Sequence, residues 1–128
     1  MKEILDEVNE LEISIVVNNV GLLEKGYYHN IEPNNIIDLI KVNCCSMSLI
    51  THYFIPIFLE RTKSTKLKCA FVNVSSVCGL FPFSFYNIYC ASKVFMDRLS
   101  TILEYEYPEI DFLRFNPSYV STPMTNHR

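Results

Sequence analysis

The chain has 128 residues, 49% of them hydrophobic and 20% charged, with a formal net charge of -3. That length and balance fit one globular domain and exclude an intrinsically disordered chain. The mild acidity leaves no basic surface to follow a phosphate backbone, so no nucleic-acid partner is expected.

The opening stretch MKEILDEVNE is acidic and lacks the apolar centre of a signal peptide. ISIVVNNVG, Ile13 to Gly21, is a continuous apolar run stopping at two asparagines and a glycine, the form of a strand buried on both faces. After a loop containing Gly26, Pro33 occupies a favoured first-turn position, and the pattern predicts a helix from Pro33 to Leu59. Ile36, Ile40, Asn43, Met47 and Ile50 share one stripe of it, which places an amide on the buried face. Burying an unpaired amide costs roughly a few kcal/mol, so Asn43 needs a partner nearby, a backbone carbonyl or an ordered water. The most apolar run, SLITHYFIPIFLE, contains His52 and Pro56 and ends at Glu60, so it is expected to be too short to span a bilayer.

The polar run ERTKSTKLK reads as a surface link, and CAFVNVSSVCG, Cys69 to Gly79, as a second buried strand ending in serines. The apolar loop Leu80 to Phe85 either lines an apolar channel or packs against the next helix. That helix, beginning YNIYCASKVFMDRL, is predicted from Tyr86 to Tyr107, with Pro108 ending it. IDFLRFNPS, Ile110 to Ser118, makes a third strand. Strands joined by helices of this length imply parallel pairing through right-handed crossovers, hence a doubly wound α/β sheet. Ligands of such sheets bind beyond the carboxyl ends of the strands. There Asn18-Asn19-Val20-Gly21, Ser75-Ser76 and Asn116-Pro117-Ser118 converge on one rim. The cysteines Cys44, Cys45, Cys69, Cys78 and Cys90 are odd in number without a C-x-x-C, and His29, His52 and His127 stand far apart, so neither a disulfide framework nor a zinc site is expected.

The chemistry of the rim is that of a proton donor at a carbonyl. Tyr89 and Lys93 lie one helical turn apart; a phenol titrates near pH ~10, and an adjacent ammonium is expected to lower that value and make Tyr89 a competent acid or base. Ser76, thirteen residues before Tyr89, is placed to hold a substrate oxygen beside the phenol. Asn43 is placed to fix a water that feeds protons to Lys93. Tyr86 shares the helix face but has neither relation, which makes it a wall or packing residue.

This set resembles the short-chain dehydrogenase/reductase family. Asn18-Asn19-Val20-Gly21 is similar to its N-N-A-G strand end, and Asn43, Ser76, Tyr89 and Lys93 match its catalytic tetrad in order and spacing. NNVG, the stretch NVSSVCGLFPFSFYNIYCASKVFMDRLSTILEYEY and the terminal P-x-x-V-x-T-x-M resemble the branch containing very-long-chain 3-oxoacyl-CoA reductases and 17β-hydroxysteroid dehydrogenases. The resemblance implies reduction of a lipid-like ketone, an acyl-CoA or a steroid, with NADPH as cofactor. It assigns the proton to Tyr89, the nicotinamide ribose to Tyr89 and Lys93, the substrate carbonyl to Ser76, and cofactor contacts to Asn18, Asn19, Gly21, Val120 and Thr122. It also implies residence at the endoplasmic reticulum membrane, and pairing of the two long helices with a second copy or a full-length relative.

The departures are as specific. The family's T-G-x-x-x-G-x-G turn, which brings backbone amides to a pyrophosphate, has no counterpart among Gly21, Gly26 and Gly79. Ser118 replaces the usual glycine after Pro117. The resemblance makes residues 1–128 a single partial domain, strands four to six of the family with their helices. Two readings follow: the catalytic part of a nicotinamide-dependent reductase, or a catalytically inactive family member serving as an interaction module.

Overall fold

A computed structural model of the protein describes residue 8, residues 11–122 and residue 124. The N-terminal stretch read above, except Val8, and His127 lie outside the described residues.

Three strands, β1 (Ile15–Asn18), β2 (Cys69–Val74) and β3 (Ile110–Phe115), form a parallel sheet in the order β1-β2-β3. The register sets Val16 beside Phe71, and Phe71 beside Phe112. Between β1 and β2 runs one continuous helical stretch: α1 (Pro33–Ile40), a π-helical turn (Lys41–Cys45) and α2 (Ser46–Thr65). Helix α3 (Asn87–Glu106) joins β2 to β3. The α/β class and parallel pairing are those expected from the alternation of elements.

The core lies on one face of the sheet, where Phe54, Ile55 and Phe58 of α2 pack with Phe71, Ile110 and Phe112 and with Leu103 of α3. Phe58 and Phe71 are fully buried with ring centroids 4.9 Å apart, and Phe71 stacks on Phe112 at 5.2 Å. Such pairs add about 0.5–1.5 kcal/mol each beyond their area burial. Both crossovers run in the same direction along the sheet, which puts both helices on that face. The opposite face holds Ile15 and Val17, each 58% exposed, Leu113 at 57% and Phe115 at 54%, and none of the described helices covers it. The strand reading of burial on both faces therefore holds for one face here. The apolar character of a parallel strand is legible in sequence, but which of its faces is covered depends on other elements.

One helix end and one internal turn differ from expectation. Helix α2 continues to Thr65, where Lys66 takes a left-handed conformation (φ 63) and its N–H reaches the Thr62 carbonyl at 2.9 Å. The run ERTKST is the exposed end of the helix, since Glu, Arg and Lys are good helix formers. The π turn inserts one extra residue, so Leu39 (1% exposed) takes the buried position expected of Ile40, which is 39% exposed. Pro33–Thr65 is also long and apolar enough to cross a membrane by length and composition. The continuity of α1, the π turn and α2 makes this stretch longer than the apolar run on which the expectation rested, and length and composition alone do not set a core helix apart from a span. The same stretch supplies Met47, Phe54 and Phe58 to the core.

Candidate active site

The carboxyl ends of the three strands and the start of α3 bring together Ser76, Tyr89, Lys93 and Asn43. Ser76 follows β2 with extended backbone (φ -170, ψ 160), and its Oγ accepts the Cys78 N–H at 3.1 Å, a local cap that fixes the hydroxyl. The Ser76 hydroxyl lies near enough to Tyr89 to lower the pKa of its phenol. Lys93 Nζ lies over the Tyr89 ring, 5.6 Å from its centroid, and donates to the Val74 carbonyl at 2.9 Å.

The electrostatics differ from the sequence expectation. Burial pushes the Tyr89 phenol above its ordinary value, and the group that pulls it back is Ser76. Lys93 is 4% exposed, and burial lowers its own pKa, offset in part by the Asp97 carboxylate. Lys93 is not among the groups that move the Tyr89 phenol, and burial outweighs Ser76, so the phenol is raised rather than lowered as expected.

Asn43 occupies the π turn and is 1% exposed. Its Oδ1 accepts the Leu22 N–H at 2.7 Å, and its Nδ2 donates to the Leu22 carbonyl at 2.9 Å and to Ser92 Oγ at 2.9 Å. Both amide protons are thus used and the oxygen keeps one lone pair. Ser92 in turn donates to the Tyr89 carbonyl at 2.7 Å, linking Asn43 to the first turn of α3. A carbon added at Gly21 would lie 3.5 Å from Asn43 Oδ1 and 3.7 Å from Lys93 Nζ, so this glycine backbone passes directly over both side chains.

Asn18 and Asn19 separate. Asn18 is buried on the helix side, where its Nδ2 donates to Asn73 Oδ1 at 2.7 Å and lies 3.3 Å from Thr51 Oγ1. Asn73 continues the chain to Ser100 Oγ at 2.7 Å. The Asn18 side chain is spent on this buried relay, leaving its backbone for the rim, whereas Asn19 is exposed. Val120, 52% exposed, and Thr122 lie in the loop after β3. Leu80, Phe81, Phe83 and Phe85 are 43–63% exposed, and the Phe85 ring meets Tyr27 edge-on at 5.0 Å. Phe85 has a positive φ of 71, and its carbonyl accepts the Gly26 N–H at 2.8 Å. Gly26 itself has φ 148, a conformation that favours glycine. Ser75 and Asn116, read from sequence as part of the rim but given no role, also contribute to the site, as do Ser92 and Asp97, which sequence reasoning missed.

The whole of residues 1–128 matches the family model described as short chain dehydrogenase. Inactive hydroxysteroid dehydrogenase-like protein 1 from Homo sapiens is 32% identical over 126 residues, 95% of this chain and 37% of its own. Human 17-beta-hydroxysteroid dehydrogenase type 3 is 34% identical over 131 residues, 98% of this chain and 40% of its own. Very-long-chain 3-oxoacyl-CoA reductase from Mus musculus is 36% identical over 101 residues, 76% and 31% respectively. This chain therefore spans 31–40% of the length of these relatives. A 3-ketoacyl-(acyl-carrier-protein) reductase from Brucella melitensis, complexed with NADH, superposes with a TM-score of 0.86 at 24% identity, covering 97% of this chain and 51% of that one, a likeness of fold. The parallel sheet, the residues gathered at its carboxyl end and a family match along its full length establish that the chain belongs to the short chain dehydrogenase family.

Proposed function

We propose that this chain carries the proton-donating part of a nicotinamide-dependent reductase that converts a lipid-like ketone, of 3-oxoacyl-CoA or ketosteroid type, into an alcohol. The observation that carries this reading is the gathering of Ser76, Tyr89 and Lys93 at the open end of the sheet, with the Ser76 hydroxyl near enough to lower the phenol's pKa and the Lys93 ammonium 5.6 Å from the ring centroid.

The fit to a nicotinamide dinucleotide is divided. The Lys93 ammonium, the Tyr89 hydroxyl and exposed Asn19 make a donor set suited to the hydroxyls of a nicotinamide ribose, reached past the bare backbone of Gly21. Val120 and Thr122, in the loop after β3, are the proposed contacts of the carboxamide. A pyrophosphate needs free backbone amides at a helix start, and this chain's glycines do not supply them. Gly26 N–H is bonded to Phe85, and the space at Gly79 is filled by Asp97. NADPH, rather than NADH, and residence at the endoplasmic reticulum membrane rest on the resemblance to the reductase branch.

The bound dinucleotide supplies a hydride. A phenol carries its proton at neutral pH, and burial raises Tyr89 further above that ordinary value, so it enters the reaction in its acid form. An alkoxide is a far stronger base than a phenolate, so the proton passes from Tyr89 to the substrate oxygen as charge develops there. Ser76 Oγ, fixed by the Cys78 N–H, holds that oxygen at the phenol. Once the proton has left, the nearby Lys93 ammonium stabilises the phenolate. The remaining lone pair of Asn43 Oδ1 accepts a water that leads protons back toward Lys93. The exposed Leu80, Phe81, Phe83 and Phe85 form an apolar wall suited to an acyl chain or a steroid.

The second reading is an inactive interaction module. It draws on the human relative whose name includes "inactive". It also draws on an apolar groove of about 550 Å³ between the long helices, lined by Ile40, Cys44, Leu49, Ile88, Ala91 and Phe95, which suits a second copy or a longer relative. Titration of the chain with NADPH, followed by nicotinamide fluorescence, separates the two. Saturable micromolar binding is expected for the reductase; absence of binding together with a concentration-dependent dimer in sedimentation supports the module.

A further inference from the structure

Beneath Ser76 lies a polar cluster that the proposed proton transfer does not use. Asp97 stands one turn beyond Lys93 on α3 and points into the turn Ser75–Gly79. The Ser75 hydroxyl lies beside its carboxyl and lowers the carboxyl's pKa against the larger effect of burial. Ser75 Oγ donates to the Lys93 carbonyl at 3.1 Å, which ties the turn after β2 to α3. With its amide nitrogen turned toward the acceptors around it, Asn116 donates to Asp97 Oδ1 at 3.2 Å, Ser75 Oγ at 3.2 Å and the Ser76 carbonyl at 3.3 Å. The two turns are also bonded directly, Ser75 N–H to the Phe115 carbonyl at 2.8 Å and Val77 N–H to the Pro117 carbonyl at 3.1 Å.

The packing is as specific as the bonding. A carbon added at Gly79 would lie 2.5 Å from Asp97 Oδ2 and 3.0 Å from Ser75 Oγ, so the carboxyl occupies the space that any side chain there would need. The charged groups facing Asp97 are Lys93 from its own helix and Arg114 from β3, and the turn after β2 contributes the Ser75 hydroxyl. A carboxylate held by two turns and a helix is thus the joint on which Ser76 rests.

We propose that Asp97 is a positioning residue that holds Ser76 against Tyr89 by tying the turns after β2 and β3 to α3. This rests on the reductase reading for its functional meaning, but the geometry it asserts does not require turnover. Ser76 is the group that pulls the Tyr89 phenol back from the effect of burial. Releasing Ser76 therefore moves the phenol further up. Loss of a nearby negative charge acts in the opposite sense, because it favours the phenolate. The two effects differ in sign.

The test places difluorotyrosine, a more acidic phenol, at position 89 and follows its titration by fluorine NMR without substrate or cofactor. Asp97→Asn and Asp97→Ala are each expected to shift the midpoint upward, as Ser76→Ala does. The combination Ser76→Ala with Asp97→Asn is expected to shift it no further than Ser76→Ala alone. If Asp97→Ala does not fold, the isosteric Asp97→Asn carries the comparison. An unchanged or lowered midpoint in Asp97→Asn, or additive shifts in the combination, overturns the proposal. The reductase reading stands or falls separately, on turnover in Tyr89→Phe.

Discussion

At the scale of single residues, the site is set by burial working against charge. Asp97 is half-buried, and desolvation raises its carboxyl above the ordinary carboxylate value, partly offset by Ser75, Arg114 and Lys93. Between the unfolded value and this raised one the native state binds more protons than the unfolded chain. The stabilisation from protonated Asp97 is complete below the unfolded value and is lost as pH rises through the folded one. Urea midpoints measured from neutrality down toward the carboxylate range are expected to contain a stabilising increment on acidification that Asp97→Asn removes; an identical pH dependence in the variant would contradict this. The legibility of such residues in sequence follows their surroundings. Asn43 was conspicuous because an amide on an apolar stripe demands a partner, and the structure supplies the Leu22 backbone and Ser92. Asp97 and Ser92 were not, since a polar residue on a helix reads as a solvated position until the loops packed on that helix are known. The Lys93–Tyr89 spacing was read correctly as proximity, but spacing along a helix does not say whether an ammonium meets a hydroxyl or a ring face.

At the scale of elements, the site depends on a sheet whose covered face is held by aromatic packing. Phe71, at the centre of β2, touches Phe58 on one side and Phe112 on the other. Phe71→Ala is expected to cost about 3–5 kcal/mol, the range for deleting a buried aromatic side chain. That is a large share of a domain stability of roughly 5–15 kcal/mol. Chemical denaturation checks it, and a loss below ~1 kcal/mol would show that the core collapses around the gap. Element order, type and parallel pairing were legible because apolar strand runs and helical stripes alternate along the chain. The π turn was not, because an insertion of one residue within a continuous helix leaves the composition unchanged and only rotates the stripe. Its consequence is functional as well as geometric: the turn carries Asn43, and its offset lets the amide reach both Leu22 and Ser92.

At the scale of the whole molecule, the described residues contain one covered sheet face and one apolar face that no described helix covers. The two faces differ because both crossovers progress in one direction, which is a property of topology and not of any strand's own sequence. The chain spans 31–40% of the length of the relatives it resembles. The proposed chemistry rests on a compact set, in which burial raises the Tyr89 phenol and Ser76 pulls it back. The most direct test is ketone-dependent oxidation of NADPH by the full gene product, comparing Tyr89→Phe with Tyr86→Phe. The account predicts that Tyr89→Phe lowers kcat by roughly a hundredfold or more, the scale of a lost general acid, with NADPH affinity retained, while Tyr86→Phe keeps most of its turnover. Retained turnover in Tyr89→Phe with loss in Tyr86→Phe would contradict it.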